Sequence, residues 1–598
     1  PQMMDSYTFA NYFNAASVNS SWGTQFSDET MRKMLDFQAA GGSSKGGMDK
    51  NEDRGVWEPD IYIKGYANTD WFSEIYKDNN FSQEHNMSIS GGSEKISYYA
   101  SLGYLSQSGA LRHGNDGLKR YNVTGKINAE LTSWLDFGYN IRFVRTDNDR
   151  PSAFTSGLYS NVGRQTWPNL PVYDENGYYF NAPSPTAGLA LGGVRNVQQD
   201  RIYHQGTFTL EPIRNWQTHV EFNYSTYTAD VRETGLPYYN HDIYGKEINT
   251  KGTSSFYQDR TKENYLNLNI YSDYSMTLND AHNFKIMGGF QAEEMKQSFF
   301  SAKAYGLLFE DLPELDLTSS TDGAGKTKIP EVNGKRNEWA TAGFFGRLNY
   351  NYKEKYLAEV NIRYDGTSRF RKGNQWNVYP SFSLGWNIAR ETFWQPVEDV
   401  VNTFKFRASY GELGNQNTNV WYPTYRTLEV KSANGDWLQG GLKPNTARIG
   451  DLVSTTLTWE TVRTWNVGFD WGMFNNCLTG SFDFYTRYTD NMVGPAPDLP
   501  NTLGIKQPKT NNCDLKTVGW ELELAWNDRL KNGLGYGVKF VLSDAQSFIE
   551  SYPSNATHSI WNHNAGRKMG EIWGFETIGI AKTKEEMDAH LEKVGGQP

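Results

Sequence analysis

Cysteine is nearly absent: Cys477 and Cys513 are the only two in 598 residues. They stand in neither a CxxC nor a metal-ligand spacing, which argues against a disulfide framework and a zinc site but does not fix the compartment. Long apolar runs are missing too. With 38% hydrophobic residues and a mean hydropathy of -0.68, no stretch of roughly 18 apolar residues can serve as a membrane helix. The formal charge is -10, and lysine and arginine are scattered singly. Without a basic stripe interleaved with aromatics, nucleic acid is not an expected partner. The chain opens on Pro1 with no initiator Met, charged leader or apolar signal core, and it closes on Gly595-Gly596-Gln597-Pro598 after a polar stretch. The expectation is an internal part of a longer protein. No constellation calls for catalysis, so neither enzyme activity nor a cofactor is expected.

What is abundant is aromatic: 37 Tyr, 32 Phe and 19 Trp, with 57 Gly against 21 Pro. That mixture suits long twisted strands joined by close turns. From about residue 83 onward, apolar and polar residues alternate with the period of a strand whose two faces meet different surroundings. In WLDFGYNIRFV (134–144), Leu135, Phe137, Tyr139, Ile141 and Phe143 share one face. In YLAEVNIRYD (356–365), Ala358, Val360, Ile362 and Tyr364 oppose Glu359, Asn361, Arg363 and Asp365. About sixteen such strands are predicted, many of roughly ten or more residues, the length a tilted strand needs to cross a bilayer.

Short turns alternate with long polar loops. The turns fall at 92–94, 132–133, 215, 353–355, 475–476 and 531–533, the loops near 148–201, 230–260, 298–336, 413–456 and 491–514. This is the pattern of an outer-membrane barrel with short periplasmic turns and long outer loops. Two connections depart from it: 371–376 is short where a long loop is due, and ETFWQPVEDV (391–400) reads as a short periplasmic helix. A large soluble β-protein with its apolar face turned inward alternates identically. Strand length, loop asymmetry and aromatics near strand ends, such as Trp134, Tyr356, Trp465 and Trp471, favour the membrane reading. On that reading Val360 faces lipid and Asn361 does not. Cys477 and Cys513 then lie at opposite ends of a membrane crossing and are not bonded.

Six segments carry a family resemblance: HNMSISGGSEKISYYASLGYLSQSG (85–109), EVNIRYDGTSRF (359–370), YPSFSLGWNIARE (379–391), FRASYGELGNQN (406–417), TWNVGFDWGMFNNCLTGSFDFYTRYTDNM (464–492) and GWELELAW (519–526). In this order they resemble the SusC/RagA family of TonB-dependent transporters of Bacteroidetes outer membranes. The resemblance implies an all-β transmembrane barrel of about 22 strands around an N-terminal plug. Some sixteen strands would be present here, one before and about five after being absent together with the plug, and the first and last strands would not meet. Residues 1–81 would then be the first outer loop, with a helix at 28–39 where Ser27 can cap and Asp28 and Glu29 suit the N-terminus. Residues 82–550 would be barrel strands and loops, and 551–598 the start of a further outer loop. The implied activity is TonB-dependent import of oligosaccharides or peptides, energised through TonB–ExbB–ExbD and aided by a SusD-like surface lipoprotein. A passive porin and a soluble or surface-attached glycan-binding β-protein are the alternatives.

Substrate contacts are expected from loop aromatics that can stack on sugar rings: Trp167, Tyr173, Trp421, Tyr422 and Trp437. Each has a plainer reading as loop packing or as part of an aromatic belt. The acidic group Glu310, Asp311, Glu314 and Asp316 reads as a solvated loop rather than a divalent-cation site, since its spacing is irregular. His558 and His563 read as loop decoration. In DGTSRF, Asp365 and Arg369 are assigned a structural role at the aqueous rim or on the lumen side. No metal is expected.

Overall fold

Alternation in the sequence becomes sixteen strands of one antiparallel sheet, ordered as they occur along the chain. The computed structural model describes all residues except 1, 59, 181–184, 417, 419, 433–437, 442, 443, 497–501, 503, 505–507, 554, 556–558 and 596–598. The strands are β1 (Ser82–Gly92), β2 (Ile96–Ser108), β3 (Gly117–Thr132), β4 (Leu135–Pro151), β5 (Val194–Ile213), β6 (Trp216–Gly235), β7 (Ser255–Leu278) and β8 (His282–Tyr305). They continue as β9 (Glu331–Tyr352), β10 (Tyr356–Thr367), β11 (Trp376–Asn387), β12 (Val401–Asn415), β13 (Glu460–Met473), β14 (Leu478–Gly494), β15 (Thr510–Arg529) and β16 (Gly535–Ser551). Among the described residues β1 pairs with β2 alone. Within the sheet β16 pairs with β15, and residues 566–569 hydrogen-bond to the last part of β16.

Close reversals fall where turn residues stand. Asn279 and Asp280 join β7 to β8 with φ of 51° and 50°, the paired positive values of a type I′ turn that matches strand twist. Asn215, Lys353-Glu354 and Phe474-Asn475-Asn476 reverse the chain with positive φ as well. Several long connections are shorter than expected because the strands run on. The predicted loop at 148–201 is 152–193, and that at 298–336 is 306–330. Both β7 and β8 have 24 residues, well beyond the ~9–11 that a tilted bilayer crossing takes. The segment expected as a helix at 391–400 is a 3₁₀ turn, Thr392–Val397, with Pro396 inside it.

Contacts group the chain into two compact units. The first comprises 1–213, 218–270 and 293–338. Here α1 (Ser6–Asn19) is capped by Asp5, whose carboxylate accepts from the Thr8 amide at 2.8 Å. The predicted helix is α2 (Asp28–Ala39), capped by Ser27 as expected. Helix α1 was not expected: Ser and Asn are indifferent helix formers, and its stability comes from packing Phe9 and Phe13 against Phe26 and Trp167. The described residues of 1–81 therefore form a folded layer. Its Met48, Trp71 and Ile75 share one apolar core with Leu158, Val162, Leu170 and Leu189 of the 152–193 connection.

The second unit comprises 214–217, 271–292 and 339–598. Its buried apolar cluster is again made mainly of loops: Phe370, Leu457 and Trp459 with Tyr379 of β11. Cys477 follows the turn before β14, and Cys513 sits on β15 opposite Met492 at the far end of the pair. Both thiols are free. Fifteen strand residues separate their levels, about 50 Å at ~3.3 Å per residue, far beyond disulfide reach. A helix not expected from sequence, Lys584–Lys593, closes the described part.

Candidate functional site

Strands β10 and β11 of the second unit are mainly apolar where they are exposed and mainly polar where they are covered. On β11 the outward face reads Trp376, Val378, Pro380, Phe382, Leu384 and Trp386, all exposed, Leu384 by 60%. On β10 the matching face carries Tyr356, Val360, Ile362 and Tyr364, with Val360 exposed by 55%. At one end of this stripe Tyr364 stacks on Trp376 at 4.9 Å, and at the other Tyr356 stacks on Trp386 at 6.5 Å. An apolar band between two aromatic girdles is what a strand facing lipid requires. A soluble β-protein needs its apolar face covered, so that alternative is set aside.

The opposite face is a hydrogen-bonded polar wall. Asn361 donates to Glu359 at 2.7 Å and accepts from Arg347 at 2.6 Å. Arg363 forks onto Asp365 at 2.9 and 3.0 Å. Arg407 of β12 bridges Asp470 of β13 and Asp483 of β14 through four bonds of 2.8–3.1 Å. Fixed side chains of alternating charge line this surface, and against it opens a cavity of about 660 Å³ bordered by Lys285, Asn349, Glu359, Lys405, Arg407 and Asn466. Such a wall can hold polar chain segments or solvent, not lipid.

The loop aromatics fall in both units. Trp167 is half-buried in the first, its ring 4.8–6.3 Å from those of Phe9, Phe13, Phe26 and Tyr62. Its backbone carbonyl accepts from the Trp71 indole at 2.9 Å. Tyr173 lies beside Tyr179, ring centroids 4.9 Å apart, and burial together with the Tyr179 hydrogen bond pushes its phenol well up. Trp421 and Tyr422 belong to the second unit, Tyr422 being exposed. Trp437 and His558 lie outside the described residues. His563 packs edge-on against Tyr552. Of the acidic group, Glu314 is held by Arg232 at 2.6 Å, while Glu310, Asp311 and Asp316 are exposed.

Around Trp421 the structure gathers residues that the sequence did not single out together. The connection 368–375 drives Phe370 into the core, 1% exposed, and turns Arg369 and Arg371 against aromatics of neighbouring segments. Thr424 ties this connection to the next long loop, donating to the Arg369 carbonyl at 3.2 Å and accepting from Arg371 Nε at 2.9 Å. The signal available in sequence was GTSRFRKGNQW (366–376), three cations with no acid. Asp365 is committed to Arg363, not Arg369.

Comparison with known proteins adds the following. The family described as TonB dependent receptor-like, beta-barrel matches residues 135–562. TonB-dependent receptor P3 of Formosa agariphila is 26% identical over 547 residues, covering 87% of this chain and 52% of that protein. TonB-dependent receptor SusC of Bacteroides thetaiotaomicron is 27% identical over 544 residues, covering 84% and 49%. The chain spans about half the length of these curated relatives. Among solved structures, the RagAB peptide importer in its closed-closed state superposes with a TM-score of 0.74 at 19% identity, covering 92% of this chain and 59% of that one. That likeness concerns the fold.

Proposed function

The chain belongs to the TonB-dependent receptor-like β-barrel family, and we propose that it forms much of the wall of a transporter that imports oligosaccharides or peptides across the outer membrane. It is an outer-membrane protein of the SusC/RagA type. The observation that carries the reading is the exposed apolar face of β10 and β11, closed at each end by an aromatic pair and backed by a charged wall. Such a wall supplies a polar path and no chemical energy. Passage of a substrate against its gradient then needs a conformational change driven from elsewhere. We assign that drive to TonB–ExbB–ExbD acting on a plug within the full-length protein. The long loops would face outward, residues 1–81 among them. Tyr12 and Trp22, 69% and 75% exposed on this layer, offer flat apolar contacts to a SusD-like lipoprotein lid. Tyr173, Trp421, Tyr422 and Trp437 remain the proposed substrate-facing aromatics, while Trp167, packed against four rings, is assigned to holding its layer together.

The test is uptake by cells carrying the full-length protein and its lipoprotein partner, using labelled neutral and acidic oligosaccharides and peptides. Uptake that stops when the proton gradient is collapsed, and in a strain lacking TonB, is expected. Uptake indifferent to both treatments would replace this reading with a passive porin.

A further inference from the structure

Three arginines on the strands of the second unit have carboxylate partners: Arg363 with Asp365, Arg407 with Asp470 and Asp483, Arg463 with Asp490. Arg369 in the 368–375 connection has none among the described residues. Its guanidinium carbon lies 5.5 and 5.8 Å from the ring centroids of Trp339 and Trp421. Nη1 donates to Thr418 Oγ1 at 3.2 Å and to the Val420 carbonyl at 3.3 Å. Nε is buried without a hydrogen-bond partner among the described residues. Burial lowers its pKa. Two residues on, Arg371 rests over Tyr425 at 5.3 Å and points its Nε at the Thr424 carbonyl.

A half-desolvated guanidinium without a counter-ion is costly, and the cost is relieved by an anion that reaches it. The two tryptophan rings help hold the guanidinium in place and, with Nη1 occupied, Nε and Nη2 are the unfilled donors among the described residues, the pair that receives a planar oxyanion through two parallel bonds. We propose that Arg369, flanked by Arg371, is the seat for a carboxylate carried by the imported molecule. Trp421, expected from sequence to stack on substrate, then acts by fixing the arginine. This inference rests on the import reading, since the connection must face the side from which substrate arrives.

Purified full-length protein would be titrated, by tryptophan fluorescence, with tetragalacturonate and with tetra-aspartate, each against its methyl ester. At least one acid is expected to bind about tenfold tighter than its ester, the scale of a charge-assisted bidentate contact. The backbone that shows the preference identifies the source of the carboxylate. Arg369→Gln is expected to erase the preference and Arg369→Lys to restore part of it. In wild-type protein about 0.5 M NaCl is expected to shrink the preference, a readout that needs no variant to fold. Acids that bind no better than their esters, or a preference that survives Arg369→Gln, would overturn the seat. Loss of thermal stability in Arg369→Gln with ligand binding unchanged would also overturn it, by placing the counter-ion inside the protein. Proton-gradient-independent uptake with the acid preference intact would support the seat while striking the import reading alone.

Discussion

Tyr364 of β10 and Trp376 of β11 stack 4.9 Å apart, and the Trp376 indole lies across Gly366, its cross-strand neighbour. A Cβ added at Gly366 would come within 2.5 Å of the indole. The missing side chain is therefore what seats the aromatic girdle at this end of the strand pair. Gly366→Val is expected to unseat Trp376 and cost about 1–3 kcal/mol, as overpacking does. Refolding into lipid vesicles, followed by tryptophan fluorescence, measures both effects. An unchanged emission maximum with wild-type stability would mean that Trp376 has other room.

The two faces of β10 are distinguished by one pair of variants. Val360 is exposed on the apolar band, whereas Asn361 bonds to Glu359 and Arg347 on the polar wall. Val360→Arg is expected to lower membrane stability by roughly 2–4 kcal/mol near the midplane. Asn361→Arg keeps Glu359 as a partner and should stay close to wild type. Equal stabilities in a vesicle-refolding titration would contradict the outward assignment of Val360.

Strands were legible in the sequence where the two faces see different solvents, as in YLAEVNIRYD (356–365). They stopped being legible where both faces carry polar side chains. In β7 the run Gln258–Asn264 is polar throughout, so the period disappears while the hydrogen-bonded ladder continues. That is why the predicted loops were too long. Helix α2 was legible because its cap and first-turn acids are local signals. Helix α1 was not, because Phe9 and Phe13 are stabilised by Trp167, some 150 residues away. The same limit applies to Arg369: only folding shows that the acid four residues before it is taken by Arg363.

Arg407 joins three strands by filling both Asp470 and Asp483. Arg407→Met would leave two carboxylates facing each other across β13 and β14. A loss of about 1–3 kcal/mol is expected, the scale of charge-assisted hydrogen bonds at a half-exposed site. Adding Asp470→Asn and Asp483→Asn should recover most of it, because no charge is then left unpaired. Urea unfolding of the wild type and the two variants decides. A triple variant weaker than Arg407→Met alone would mean that the aspartates serve something other than Arg407.

Trp167 fills the space between α1, Phe26 and Tyr62. Trp167→Ala should cost this layer about 2–4 kcal/mol, somewhat below a fully buried Trp→Ala, because the ring is half-exposed. The loss should be local, with residues 1–81 cut faster in limited proteolysis while the strands resist heat as before. Slower uptake at unchanged protease resistance would instead assign Trp167 to substrate contact.

His113 gives the same layer a pH dependence whose sign follows from its surroundings. Nε2–H donates to the Glu74 carbonyl at 2.9 Å, and Nδ1 accepts from the Tyr179 hydroxyl at 3.2 Å. The second bond needs the neutral ring, because a protonated Nδ1 cannot accept from the Tyr179 hydroxyl. Burial holds the pKa below the ordinary histidine value, neighbouring Arg112 adds to this, and Glu74 opposes it. The opened layer, with an ordinary pKa of about 6.5, takes up a proton more readily than the closed one. Stability from His113 is therefore fully present above about pH 6.5 and is lost as the pH falls below it. Limited proteolysis of full-length protein at about pH 7.5 and 5.5, normalised to heat-denatured protein, should show faster cleavage of residues 1–81 at the lower pH. His113→Gln retains an amide that can donate to Glu74 and accept from Tyr179 but takes up no proton, so the difference should flatten. An equal acid effect in the variant, or slower cleavage of wild-type protein at low pH, would place the titrating group elsewhere.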